Sequence, residues 1–324
     1  MADELAIEAV DLQKTYRGGL QVLSGVNISV KRGSVFALLG PNGSGKTTTV
    51  RILSTLTKLD AGTATVAGFD IVSQRSEVRR AISLTGQSAA IDKQQTGEEN
   101  LRMMGRLSGL SRDEAKARAT DLLERFDLVE AGSRRLSTYS GGMARRLDLA
   151  AGLVGSPSVV FLDEPTTGLD PRSRLALWSV IGNLTDAGIT VFLTTQYLEE
   201  ADKLADLIAV LDGGKIVAQG TSDELKEKVT GQRLDLDLAN ADAYQAVLAV
   251  LGDRVVEKDA DLLTIGASTD GSAGHVRALL DELDPDRTLI AKFNVHSATL
   301  DDVFLALTGK KTANTENDKE TVGV

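Results

Sequence analysis

The octapeptide Gly40–Thr47, GPNGSGKT, separates the short apolar run Ser34–Leu39 from a stretch of helical composition, Thr47–Leu56. Glycines at Gly40, Gly43 and Gly45 let a backbone wrap so closely that its N–H groups face phosphate oxygens. A helix starting near Lys46 turns the positive end of its dipole toward the same oxygens. Lys46 then reaches the terminal phosphates, and the Thr47 hydroxyl can ligate Mg²⁺. A plain turn would also join a strand to a helix, but it would not need this glycine, lysine and hydroxyl spacing. The run Val159–Glu164, VVFLDE, supplies the complementary half. It delivers Asp163 and Glu164 at the C-terminal end of a strand, where open α/β sheets bind their ligands. Asp163 suits the Mg²⁺ shell, usually through water, and Glu164 is placed to polarise an attacking water. Many strands end in acidic turn residues, so the pair gains its meaning from the phosphate loop upstream.

Two further stretches could touch a phosphate. Ser140-Gly141-Gly142 opens a basic helical segment, and a hydroxyl, two permissive glycines and a helix N-terminus make an anion site. An ordinary helix cap is the commoner fate of such a triplet. In Val191–Asp206, VFLTTQYLEEADKLAD, an apolar strand ends at Gln196 before an acidic helix. Glutamine offers two N–H donors and one carbonyl acceptor, but it cannot carry a positive charge or shuttle a proton.

These residues need strands and helices in alternation to position them, and the first two-thirds of the chain supplies that pattern. Ile7–Leu12 and Val22–Val30 read as strands, Val159–Leu162 and Thr190–Thr194 as buried parallel strands, and Arg172–Asp186 as the helix between those two. Ser111–Phe126 opens with a capping-box pattern, Ser111 to Glu114, and directs Leu122, Leu123 and Phe126 to a core. Leu207–Gln219 reads as a hairpin turning at Asp212-Gly213-Gly214. The fold class is α/β: a phosphate-loop nucleotide-binding domain over residues 1–228 with a helical subdomain at about 97–155. From Gln232 the order strand, helix, strand, strand, helix, strand matches a split βαβ, ferredoxin-like α+β domain over 229–309, with a last helix at Leu300–Leu307. Thr299 caps that helix, and Leu300, Val303, Phe304 and Leu307 form one apolar stripe that serves either core packing or an interface. Residues 310–324 have the polar composition of a disordered tail.

The composition limits what else the chain does. There is no cysteine, so no disulfide, thiolate metal site or cysteine nucleophile is expected. No signal pattern and no membrane-spanning run is seen, which leaves any membrane role to a partner subunit. A net charge of −10 and an aromatic fraction of 4% argue against nucleic-acid binding.

Taken with Tyr139–Met143 (YSGGM), Pro165–Pro171 (PTTGLDP), Tyr16, Gln87 and Thr195-Gln196, the phosphate loop and acidic strand end resemble the ATP-binding subunit of an ATP-binding-cassette transporter, from Ile7 to about Leu225. The resemblance implies ATP and Mg²⁺ as ligands. It implies ATP contacts from Tyr16, stacked on adenine, from Gly40, Pro41, Asn42, Gly43, Ser44, Gly45, Lys46, Thr47 and Thr48, and from Gln87. It implies Mg²⁺ contacts from Thr47, Gln87 and Asp163, catalysis by Glu164 and Gln196, and binding of a second protomer's ATP by Ser140, Gly141, Gly142 and Met143. Asp170 would lie at the protomer contact. Taken alone, Tyr16 could equally be packing and Gln87 plain surface. The implied assembly is a head-to-tail ATP-sandwich homodimer on a separate membrane permease, peripheral on the inner face of the cell membrane.

LTTQYLEEAD and LDDVFLALTG resemble the drug-export subgroup typified by the daunorubicin-resistance exporter. ATPases of glycan or lipid export share the same chemistry and form the alternative. A DNA-repair ATPase would carry long heptad arms between Thr47 and Ser140, and a translation-factor ATPase would normally carry two cassettes. Neither feature is present.

The family usually has Leu and Gln where Tyr139 and Met143 stand, and histidine where Gln196 stands. The only histidines, His275 and His296, lie in the C-terminal region. Glutamine retains the phosphate contact, so the loss should be partial, with ATP binding intact and hydrolysis slowed. Steady-state turnover of Gln196→Ala is expected to fall well below that of Gln196→His; equal rates in both variants and the parent would show that this side chain does not act on the phosphate.

Overall fold

The computed structural model describes residues 5–86, 91–229, 232–296 and 299–308. Gln87 and the segment 310–324 lie outside the described residues. Contacts divide the chain into two compact units, the first running to Ser222 and the second beginning at Asp223.

In the first unit, β1 (Leu5–Tyr16) and β2 (Leu20–Lys31) form an antiparallel hairpin, and β3 (Val35–Leu39) runs into the glycine loop and α1 (Lys46–Leu53). There follow β4 (Ala61–Val66), β5 (Phe69–Asp70), α2 (Arg75–Ala81) and β6 (Ile82–Thr85). The helical segment holds α3 (Gly97–Leu107), α4 (Arg112–Arg125) and α5 (Gly141–Gly152), with a 3₁₀ turn at Leu136–Thr138. The unit continues with β7 (Val159–Asp163), α6 (Pro171–Asp186), β8 (Thr190–Thr195), α7 (Leu198–Leu204), β9 (Leu207–Asp212), β10 (Lys215–Gly220) and α8 (Ser222–Val229), whose residues from Asp223 onward belong to the second unit.

One sheet has the order β10-β9-β3-β8-β7-β6, parallel except for the β9–β10 hairpin. Every residue of β3, β7 and β8 is buried. Strands covered on both faces cannot alternate polar with apolar residues, hence the unbroken runs VFALL and VVFL. Phe36, Phe192 and Phe161 are register partners across the three strands, and their rings stand 5.1 and 5.4 Å apart in tilted pairs. The register places Leu39 beside Thr195 and Thr194 beside Asp163, so the strands end level. Residues 40, 164 and 196 therefore leave the sheet at one edge.

The second sheet, β2-β1-β4-β5, is antiparallel and buries Ile7, Leu12, Leu23 and Ile28 in the same core as Phe36, Val50 and Phe192. Its β4–β5 portion, together with α2 and β6, has no counterpart in the sequence reading. The Ser111 capping box closes in both directions, and Leu122, Leu123 and Phe126 are buried. A second capping box, Thr96 with Glu99, starts α3.

The second unit contains β11 (Gln232–Leu238), α9 (Ala241–Leu251), β12 (Val255–Asp259), β13 (Thr264–Thr269), α10 (Ala273–Leu283), β14 (Ile290–His296) and α11 (Leu300–Thr308). Its sheet, β12-β13-β11-β14, is antiparallel throughout, which is the split βαβ arrangement. Leu234, Leu236 and Leu238 alternate into a core with Tyr244, Val247 and Leu279. Gly266 has no side chain because the aliphatic part of Arg233 crosses where one would stand, 2.6 Å from an ideal Cβ. Thr299 Oγ1 accepts the Asp302 N–H at 3.3 Å and Asp302 Oδ2 accepts the Thr299 N–H at 2.8 Å, while Leu300, Val303 and Phe304 are buried.

Among the described residues, no helix is long and apolar enough to cross a membrane. Phe192 is the middle ring of the three and is fully buried. Phe192→Ala is expected to destabilise the first unit by about 3–5 kcal/mol and Phe192→Leu by clearly less, read as shifts of the urea unfolding midpoint.

Candidate functional site

The phosphate loop is held by the chain around it. Gly40 donates its N–H to the Thr195 carbonyl at 3.2 Å. Gly45 has φ +113°, and a Cβ there would press on Leu23 at 2.7 Å and on the Val22 carbonyl at 3.0 Å. Only glycine combines that backbone with that contact. Lys46, 4% exposed, donates to the carbonyls of Gly40 at 2.8 Å and Pro41 at 3.1 Å, and lies 3.3 Å from Glu164 Oε1. Burial lowers its pKa, and the carboxylates of Glu164 and Asp163 oppose that shift. The Ser44 hydroxyl is buried without a hydrogen-bond partner. A glycine cradle with an unmatched hydroxyl and an ammonium group fits a phosphate chain.

Asp163 ends β7 in a buried position. Its Oδ1 accepts hydrogen bonds from Thr194 Oγ1 at 2.5 Å and from Thr47 Oγ1 at 3.3 Å. The Glu164 N–H is directed at the Thr194 carbonyl at 3.0 Å and its hydroxyl at 3.2 Å. Thr194 thus fixes both acidic residues, a role the sequence reading missed; a hydroxyl residue ending an otherwise apolar strand was the available signal. Glu164 also has φ +50°, a left-handed conformation costing about 1–3 kcal/mol outside glycine and sustained by the bonds around it.

Among the described residues no three histidine, aspartate or glutamate side chains cluster as a metal site. The donor set of Thr47 and Asp163, one hydroxyl and one carboxylate, is instead what Mg²⁺ needs when phosphates and waters complete its octahedron.

Gln196 is half-buried and follows directly on β8, the strand next to the one that delivers Glu164. Behind it lies Glu200, fully buried, whose Oε1 accepts from Trp178 Nε1 at 3.2 Å. Burial raises its pKa, against the Trp178 hydrogen bond and the charge of Arg174.

The remaining candidates lie on other elements. Ser140 caps α5 by accepting the Met143 N–H at 3.2 Å. Gly142 is buried against α6, where a Cβ would fall 2.7 Å from Ser173 Cβ, so that glycine serves helix packing as well. Asp170 caps α6, accepting the Ser173 N–H at 3.0 Å and its hydroxyl at 2.5 Å, which lowers its pKa. Tyr16 is 40% exposed at the end of β1, with Lys14 Nζ 5.7 Å from the ring centre. His275 accepts the Asp270 N–H at 3.1 Å and His296 lies 3.3 Å from Asp302, both in the second unit. Arg145 of α5, not singled out in the sequence, donates Nε to the Pro165 carbonyl at 2.8 Å and Nη1 to the Gly86 carbonyl at 2.7 Å.

Residues 23–167 match the ABC transporter family model. The chain is 46% identical to the doxorubicin resistance ATP-binding protein DrrA of Mycobacterium tuberculosis, over 94% of each chain. It is 48% identical to the daunorubicin/doxorubicin resistance ATP-binding protein DrrA of Streptomyces peucetius, over 94% of this chain and 92% of the relative. Identity to the Nod factor export ATP-binding protein I of Ralstonia nicotianae is 36%, over 93% of this chain and 92% of the relative. Among solved structures, an ATP-binding subunit of an ABC transporter superposes on 69% of this chain and 92% of its own, with a TM-score of 0.61 and 29% identity. The cbiO1 protein of Clostridium perfringens, part of the transporter complex cbiONQ, superposes on 70% of this chain and 94% of its own, with a TM-score of 0.64 and 25% identity.

Glu200 holds its proton more tightly in the folded chain than in the unfolded one, so its contribution to stability is complete below the ordinary carboxylate range and is lost as pH rises through the folded pKa. Glu200→Gln is expected to flatten this decline, gaining stability on the parent between acidic and neutral pH; identical pH profiles of thermal unfolding would show that the carboxyl ionises freely.

Proposed function

The chain belongs to the ABC transporter family as an ATP-binding, ATP-hydrolysing subunit, and on that premise we propose that it powers a separate membrane permease exporting hydrophobic drugs or antibiotics. The convergence of Lys46, Thr47, Asp163 and Glu164 at one level sheet edge carries the catalytic part of this reading. The nucleotide's phosphates replace the Gly40 and Pro41 carbonyls and Glu164 as partners of Lys46. Thr47 and Asp163 would hold Mg²⁺, which supplies charge neutralisation on the phosphates. Glu164, released from Lys46, takes the proton side of the attacking water, and the amide of Gln196 donates to the γ-phosphate. Tyr16 meets adenine, and the loop N–H groups together with Ser44 and Thr48 line the phosphates. Gln87 would contact Mg²⁺ and sense the permease.

The sandwich reading is supported by the place of the Ser140–Met143 segment. It opens α5, a different helix from the one the phosphate loop leads into, with Ser140 accepting the Met143 N–H and Gly142 packed on α6. A second copy, turned head to tail, supplies them to the nucleotide, with Asp170 at the contact. The drug-export reading rests on the 46–48% identity to proteins named for doxorubicin and daunorubicin resistance. Export of a glycan or lipid is the second reading, supported by the lower identity to the Nod factor exporter.

With Mg²⁺ and ATP, Glu164→Gln is expected to accumulate a stable dimer on size exclusion, while parent ATPase activity per chain rises with protein concentration. A variant that stays monomeric at saturating ATP would overturn the sandwich. Cells expressing the chain with its own permease are expected to accumulate less doxorubicin than cells carrying Lys46→Ala; equal accumulation would favour the glycan or lipid reading.

A further inference from the structure

We infer that Arg145 is a positioning residue that ties α5 to the ends of β6 and β7, so that closure of the dimer is transmitted to Glu164. The inference rests on the sandwich reading above and adds to it a residue in the same chain.

Arg145 lies one turn into α5, just past the Ser140–Met143 segment, with its side chain 13% exposed. Burying a guanidinium is costly unless its donors are used, and here they are aimed at two main-chain carbonyls. Nε takes Pro165 and Nη1 takes Gly86. Those carbonyls lie just beyond β7 and β6, where the sheet ladder stops and main-chain acceptors need new partners. The counter-charge comes from the same helix: Asp148 Oδ2 lies 3.4 Å away and is itself 6% exposed. Burial is the main influence on the guanidinium, with Asp148, Glu200 and Asp163 acting against it.

The consequence is mechanical. The Glu164 N–H is pinned to Thr194 of β8, and the carbonyl of the very next residue is pinned to α5. Glu164, in its left-handed conformation, is thus held between a fixed strand and a helix whose N-terminus meets the partner's nucleotide. Arg145 and Glu164 also face one crevice of about 440 Å³, shared with Gly141, Thr167 and Gly168. A planar fork can serve two diverging carbonyls at once, which the single ammonium of lysine does poorly.

The experiment uses the full chain and compares Arg145→Lys and Arg145→Gln with the parent for kcat, KM for ATP, thermal unfolding and, in the Glu164→Gln background, ATP-driven dimerisation. Both variants are expected to lose at least tenfold in kcat while KM moves by less than threefold and the dimer still forms. Lys should recover part of what Gln loses. Parent-like kcat in either variant would overturn the inference. So would a loss of kcat that tracks a loss of ATP affinity and of unfolding temperature, which is what helix packing alone predicts. Should Arg145→Gln fail to fold, the kcat and KM of Arg145→Lys decide. A parent chain that hydrolyses no ATP, or Glu164→Gln that forms no dimer, would instead refute the sandwich reading beneath it.

Discussion

The hydroxyl of Thr194 donates to Asp163 while the same residue receives the N–H of Glu164, and the candidate site depends on that exchange. It can form only because β7 and β8 are parallel neighbours in one register. One slip along the strand would turn every side chain to the opposite face. The register is secured in turn by the three phenylalanine rings behind it, and by the complete burial that leaves β3, β7 and β8 no polar alternative. An apolar core thus determines the placement of two carboxylates, and the Thr47 hydroxyl is brought to the same oxygen from a separate strand-to-helix turn.

Much of this was legible in the sequence because the information is local. The phosphate loop, the acidic strand end, the capping box at Ser111 and the β9–β10 hairpin each declare themselves within a few residues. What stayed hidden is adjacency between distant segments. β8 is inserted between β3 and β7, so nothing near Thr194 in the chain announces that it faces Asp163. Arg145 reads as one more basic residue on a helix until Gly86 and Pro165 are seen beside it. Gly142 carries two demands, only one of which its motif suggests: it sits at a helix N-terminus, and it leaves room for Ser173. The β4–β5 segment escaped notice because its residues alternate weakly and turn back after only a few positions.

The second unit obeys the same logic with different materials. Its strand β11 alternates, since one face receives α9 and α10 and the other carries Arg233 and Asp235, with Glu257 of β12 beside them. The helical stripe at its C-terminus, open in the sequence to either core or interface, is buried at Leu300, Val303 and Phe304. Those side chains are therefore withdrawn from solvent in this chain.

The left-handed backbone at Glu164 has a meaning for how such a chain tolerates change. A residue with a Cβ is an awkward tenant there, and glycine would adopt the same angles without strain. Losing the carboxylate would relieve the backbone but leave the buried Lys46 ammonium with one counter-charge fewer. Position 164 is therefore where backbone ease and buried charge pull the sequence in opposite directions.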